Sequence, residues 1–161
     1  MALAEARGVA PPPSVPTVAS SRDVIVLYDG VCGLCSRLIS FLLPRDRHRR
    51  LRFAALQGRT AAAILSRHGV TPTAPGAAPQ SVVLVELPDT PSERLYFRSD
   101  AALRIAHALP GAWPALALLL VLPRFLRDWG YDRVANSRYR IFGRLDACTL
   151  PSPENRARFL D

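Results

Sequence analysis

The stretch Leu27-Tyr28-Asp29-Gly30-Val31-Cys32-Gly33-Leu34-Cys35 places two of the chain's three cysteines three residues apart, where a strand hands over to a helix. Residues 23–28 run through Val24-Ile25-Val26-Leu27, an apolar and mostly β-branched segment suited to a strand buried on both faces. Beyond the turn, Cys35, Leu38, Ile39 and Leu42 recur at i, i+3, i+4 and i+7. Ser36, Arg37 and Ser40 fall between them, and Pro44 closes the run. The two cysteines therefore open an amphipathic helix.

Thiol–disulfide exchange needs a thiolate, and the unpaired N–H groups and positive dipole end of a helix stabilise one. Cys32 is thus the expected nucleophile, forming a mixed disulfide, and Cys35, one turn inward, the thiol that resolves it. Gly30 and Gly33 permit a tight turn and let another backbone approach the sulfur closely, and Gly33 and Leu34 are the expected substrate contacts. Asp29 has two readings of equal weight. A carboxylate beside the first turn would raise a thiol pKa, which suits an acid/base for Cys35. Alternatively, it is a turn residue whose oxygen accepts backbone N–H groups.

A Cys-x-x-Cys pair also serves as half of a tetrahedral zinc site. The other candidate ligands are Cys148, His48, His68 and His107, none of which forms a second close pair. Zinc is therefore a minor reading, as is a structural pair of buried thiols, and no metal or organic cofactor is expected. Cys148 is open to three readings: a buried hydrophobe, a third redox thiol that accepts the disulfide from the Cys32 pair, or a free surface thiol.

With these residues in view, the segment from Tyr28 to Cys35 resembles the signature of the DCC family, thioredoxin-like proteins named for an aspartate followed by a Cys-x-x-Cys pair. Arg98-Ser99-Asp100-Ala101-Ala102, Arg138-Tyr139-Arg140-Ile141-Phe142-Gly143, Cys148-Thr149-Leu150-Pro151 and Arg158-Phe159-Leu160 resemble further family blocks in the same order. The resemblance implies thiol–disulfide oxidoreductase chemistry, with Asp29, Cys32 and Cys35 as signature residues and Cys148 as the C-terminal cysteine. It names a chemistry more securely than a substrate, which is expected to be a disulfide- or thiol-containing protein or a small thiol.

The remaining chain suits that fold. Strands are expected at 51–56, 81–87 and 94–97, with helices at 60–68 and from Ser99, the expected cap, to Pro110-Gly111. A proline-rich loop spans 71–80. This order gives an α/β, thioredoxin-like architecture: a mixed four-stranded sheet flanked by helices, with a C-terminal helical extension over about 112–161. Many thioredoxin-like proteins place a cis-proline before the third strand, facing the nucleophilic sulfur and the substrate. Pro79 is the best-placed candidate here, ahead of Pro72 and Pro75.

At 161 residues and 49% hydrophobic, the chain suits one domain, 23–161, preceded by a disordered leader over 1–22 that reads unlike a secretory signal. The expected compartment is therefore the cytoplasm, where such a pair is more plausibly redox-active than a permanent crosslink. All 21 basic side chains are arginine, against 13 acids, for a net charge of +8. The arginines are spread along the chain without a nucleic-acid module, so nucleic-acid binding is not expected. The cluster Arg45, Arg47, Arg49, Arg50 and Arg52 reads as a solvated loop.

Residues 112–122 are rich in leucine and flanked by Trp113 and Trp129, a pattern found in membrane-surface helices. The run is too short to span a bilayer, and a buried helix or dimer contact is favoured over a membrane-facing one. Arg138, Arg140 and Arg144 either lie near the thiolate or an anion, or form a solvated face. The rival to the exchange enzyme is a non-catalytic binding module that sets its apolar C-terminal helices against a partner or membrane. Oligomeric state is left open.

Overall fold

A computed structural model of the protein describes residues 24–70, 82–144 and 152–160. The leader, Pro72, Pro75, Pro79 and Cys148 lie outside the described residues. Strand β1 (Val24–Tyr28) leads through helix α1 (Gly33–Leu42) into β2 (Leu51–Ala55). Helix α2 (Arg59–Arg67) precedes β3 (Val83–Glu86) and β4 (Arg94–Phe97), and α3 (Arg98–Ala108) follows at once. A 3-10 helix (Trp113–Val121), the long helix α4 (Arg124–Phe142) and a short 3-10 turn (Pro153–Arg158) complete the order.

The sheet runs β2-β1-β3-β4, with β1 parallel to β2 and antiparallel to β3, and β3 antiparallel to β4. A parallel pair needs a long crossover, and α1 supplies it. Alternation along the central strand then divides the core. Val26 and Tyr28 pack with Ile39 and Leu42 of α1 and Ile105 of α3 on one face. Ile25 and Leu27 pack with Ala61, Ile64 and Leu65 of α2 on the other. This is the expected thioredoxin-like α/β fold, a mixed four-stranded sheet flanked by helices with further helices at the C-terminal end. The turn after β1 opens at the C-terminal edge of the central strand, where crevices form in open α/β sheets.

Two expectations are corrected. Ser99 does not cap α3, because β4 passes straight into the helix at Arg98, whose φ of 52° makes the reversal. Ser99 sits one position inside, buried, and donates its hydroxyl to Asp128 of α4. The apolar run at 112–122 does not form a buried helix either. Its central segment is the 3-10 helix Trp113–Val121, which has no buried residue, and Leu118 and Val121 are 73% and 86% exposed. The sheet face above it is already filled by α1 and α3, so the run packs on α3 and, through Trp113, edge-on to Phe41 of α1.

The arginine-rich loop after α1 is solvated as expected, except for Asp46. That carboxylate accepts the Arg50 and Leu51 N–H groups at 3.1 and 2.8 Å and pairs with Arg158. Arg158 also donates to the Leu51 carbonyl at 3.2 Å and the Leu43 carbonyl at 3.3 Å. This pair clamps the tail onto the β2 edge, where the Leu160 N–H donates to the Phe53 carbonyl at 2.9 Å and Phe159 stacks on Phe53. Both side chains are almost fully buried, so removing one strands the other's charge. Asp46→Ala is expected to cost about 3–5 kcal/mol in urea unfolding. A loss near zero would contradict the clamp.

Candidate functional site at the end of the central strand

The turn after Tyr28 places Asp29, Cys32 and Cys35 together, as the sequence predicts. Cys32 occupies the position just before α1, with extended backbone (φ −93°, ψ 117°), and Cys35 lies in its first turn. The Cys35 thiol donates to the Cys32 sulfur. This bond lowers the Cys32 pKa from 9.0 to about 6, against the opposing effect of burial, and the Cys35 and Leu34 N–H groups and the Arg138 charge add to it. The same bond, with burial and the Cys32 charge, pushes the Cys35 thiol far up. At neutral pH the pair therefore carries one thiolate, on Cys32, and one proton, on Cys35.

Asp29 is buried and held from three directions. One carboxylate oxygen accepts the Val31 N–H at 3.1 Å and the Gln57 side-chain amide at 2.9 Å. The other accepts the Tyr139 hydroxyl and lies 3.8 Å from the Arg138 guanidinium. Gln57 also accepts the Gly30 N–H at 3.1 Å, so the turn is pinned on both sides. The Val31 bond is the turn contact expected of Asp29, and the Asp29 charge contributes to raising Cys35. Burial and donation to Asp29 push the Tyr139 hydroxyl up, so it stays protonated. Burial opposes the Arg138 charge, but the Tyr139 bond and the neighbouring Cys32 and Asp29 charges raise its pKa further, so it remains a fixed cation.

The backbone approach expected at Gly33 comes from this chain. The Gly33 N–H donates to the Gly143 carbonyl at 3.3 Å, and Arg144 forms an isolated antiparallel bridge with Cys32. A Cβ on Gly33 would lie 2.3 Å from the Phe142 carbonyl oxygen, so only glycine admits the end of α4 here. Gly143, at φ 75°, turns the chain out of α4 toward Cys32. Beneath this cover Cys32 has 0% exposure. Leu34 and Cys35 instead line an apolar cavity of about 220 Å³ between α1, α3 and α4, with Ile105, Tyr131, Val134 and Arg138 also in its wall.

Of the three arginines singled out from the sequence, Arg138 lies beside the thiolate and Arg144 over it, its guanidinium above the Tyr139 ring, while Arg140 is solvated. Sequence reasoning assigned no role to Gln57 or Tyr139. Tyr139 stood inside a family-like block, and Gln57 follows the strand parallel to β1, so the topology could have brought it to the Asp29 turn. Among the described residues, no group of three His, Cys, Asp or Glu side chains could hold a metal ion.

A Cys-x-x-Cys pair at the N-terminus of the helix after β1 of such a sheet is the arrangement of thioredoxin-like proteins of the thiol–disulfide class. Residues 26–144 match the DCC1-like thiol-disulfide oxidoreductase family, and the chain belongs to it. It is 42% identical over 127 residues to a chloroplastic DCC family protein of Arabidopsis thaliana, covering 78% of this chain and 69% of that one. It is 33% identical over 136 residues to the uncharacterized protein YuxK of Bacillus subtilis, covering 84% and 93%. No solved structure matches. No helix among the described residues is long and apolar enough to cross a membrane.

The depressed Cys32 pKa fixes a pH signature. Because the folded Cys32 thiol ionises below its unfolded value, this contribution to the stability of the reduced protein grows as pH rises from about 6, is complete above about pH 9, and is lost as pH falls through 6. Thiolate absorbance of the reduced protein is expected to titrate with a midpoint near 6, moving upward in Cys35→Ala. A wild-type midpoint near 9 would refute the assignment.

Proposed function

We propose that this chain is a thiol–disulfide oxidoreductase whose nucleophile is Cys32 and whose resolving thiol is Cys35. The observation that carries the reading is the placement of Cys32 just before α1 and of Cys35 in its first turn, where the Cys35 thiol and the helix N–H groups lower the Cys32 pKa and the same bond raises that of Cys35. The Cys32 thiolate attacks one sulfur of a partner disulfide, and the other partner sulfur leaves as a thiolate. Cys35 then loses its proton and attacks the Cys32 sulfur, expelling the second partner thiolate. The pair is oxidised by two electrons to a disulfide and the partner is reduced to a dithiol, and the reverse sequence oxidises a partner.

Asp29 is the base to which the Cys35 proton passes, held in place by Gln57 and Tyr139. For the first step the segment at Gly143 and Arg144 moves off Cys32, and a partner backbone takes its place beside Gly33. The apolar wall formed by Leu34 and its neighbours receives a hydrophobic side chain of the partner. Pro79 and Cys148 keep the roles of substrate contact and third redox thiol as proposals. A protein or small-thiol partner in the cytoplasm or another reducing compartment suits a pair that must be re-reduced after each turnover.

Trapping separates the roles. Cys35→Ala incubated with glutathione disulfide is expected to accumulate a mixed disulfide on Cys32, detected by mass spectrometry, while Cys32→Ala accumulates none. Asp29→Asn is expected to slow the resolving step by about a hundredfold and leave the first attack largely unchanged. An adduct that forms on Cys35 in Cys32→Ala as readily as on Cys32 would overturn the assignment.

A further inference from the structure

Of the twelve large hydrophobic side chains exposed among the described residues, all but Leu87 fall between Trp113 and Ile141. A concentration of that kind is not the ordinary scatter of surface apolar residues. Both tryptophans of the chain belong to it. On α4, positions 125, 129, 133, 136 and 140 recur every three or four residues and share one face. That face carries Phe125, Trp129, Arg133, Asn136 and Arg140, all exposed, with Asp132 at its edge.

Both acids of α4 are already engaged: Asp128 accepts the Ser99 hydroxyl, and Asp132 pairs with Arg98 at 3.4 Å. The adjoining 3-10 helix, Trp113–Val121, has no charged residue. This C-terminal segment therefore exposes protruding apolar side chains, two tryptophans, and Arg133 and Arg140 beside a single carboxylate, Asp132, that Arg98 already pairs. We propose that this surface docks on an anionic lipid bilayer, with Leu118, Val121 and Phe125 entering the headgroup boundary and Arg133 and Arg140 meeting lipid phosphates.

Three observations favour a bilayer over other occupants. Side chains exposed by 73–86% stand clear of the protein and suit insertion into a deformable phase. Tryptophan and arginine together are the residues that settle at membrane interfaces. A second copy packed about a two-fold axis would set two net-positive faces, whose one carboxylate is already paired with Arg98, against each other.

The opposite side of α4 carries Arg138 and Tyr139 to Asp29, and its end covers Cys32, so docking holds the dithiol beside the bilayer. Docking stands independently of the redox reading. That it presents the dithiol to partners at a membrane surface rests on that reading.

The tryptophans report on the test directly. The full chain is mixed with vesicles of phosphatidylcholine alone, or of phosphatidylcholine and phosphatidylglycerol in a two-to-one ratio, and followed by tryptophan fluorescence and co-sedimentation. A blue shift and co-sedimentation with the anionic vesicles are expected, with binding about tenfold or more weaker to the neutral ones. Val121→Ser with Phe125→Ser is expected to abolish the shift, and Arg133→Glu with Arg140→Glu to remove the preference for anionic lipid. Unchanged circular dichroism establishes that each variant is folded. Absence of binding to both vesicles, equal binding to both, or a lipid-independent dimer that buries the tryptophans would each overturn the proposal. Vesicle binding by a protein that fails to exchange disulfides would leave docking standing and the redox reading refuted.

Discussion

The end of α4 rests on the first turn of α1 at a distance that no side chain at position 33 would allow. Gly33 lies against the Phe142 and Gly143 carbonyls, and the same turn of α4 delivers Arg138 and Tyr139 to Asp29. The rest of the site follows from this contact. It fixes the turn after the central strand, covers Cys32 and sets one wall of the apolar cavity beside Cys35. A dithiol on an otherwise bare helix terminus is thereby enclosed by the C-terminal extension of its own chain.

Within that enclosure one hydrogen bond makes the two cysteines unlike. The proton shared between them is assigned to Cys35, because Cys32 has the helix N–H groups and the Arg138 charge on its side while Cys35 senses the Asp29 and Cys32 charges. Burial opposes ionisation of both, so the asymmetry arises from where the dipoles and charges lie. Arg138 is itself buried and is held charged by Tyr139, Asp29 and Cys32 together, which ties the electrostatics of the thiolate to the seating of α4.

The parts of this arrangement that were legible in the sequence are the local ones. The β-branched run before Asp29, the apolar spacing from Cys35 to Leu42 and the strand at 94–97 all appear as read, because each signal is complete within a few residues. Ser99 misled because a serine before an apolar run looks like a cap, whereas the reversal is made at Arg98 and the hydroxyl serves Asp128. The leucine-rich run at 112–122 misled because an apolar segment reads alike whether it enters a core or stands outside one already filled. Gln57 and Tyr139 reach Asp29 across 28 and 110 positions of sequence, and no local pattern encodes such contacts.

The central claim is that Cys32 and Cys35 form a reversible redox couple inside this enclosure, and a redox titration tests it most directly. The protein is equilibrated with defined ratios of glutathione to glutathione disulfide, quenched with acid, alkylated and quantified by mass. The account predicts one two-electron transition, with a slope of about 30 mV per tenfold change in the ratio of disulfide to dithiol, confined to a bond between Cys32 and Cys35. Two thiols that remain alkylatable at every ratio, or a disulfide that forms only with another partner, would contradict it.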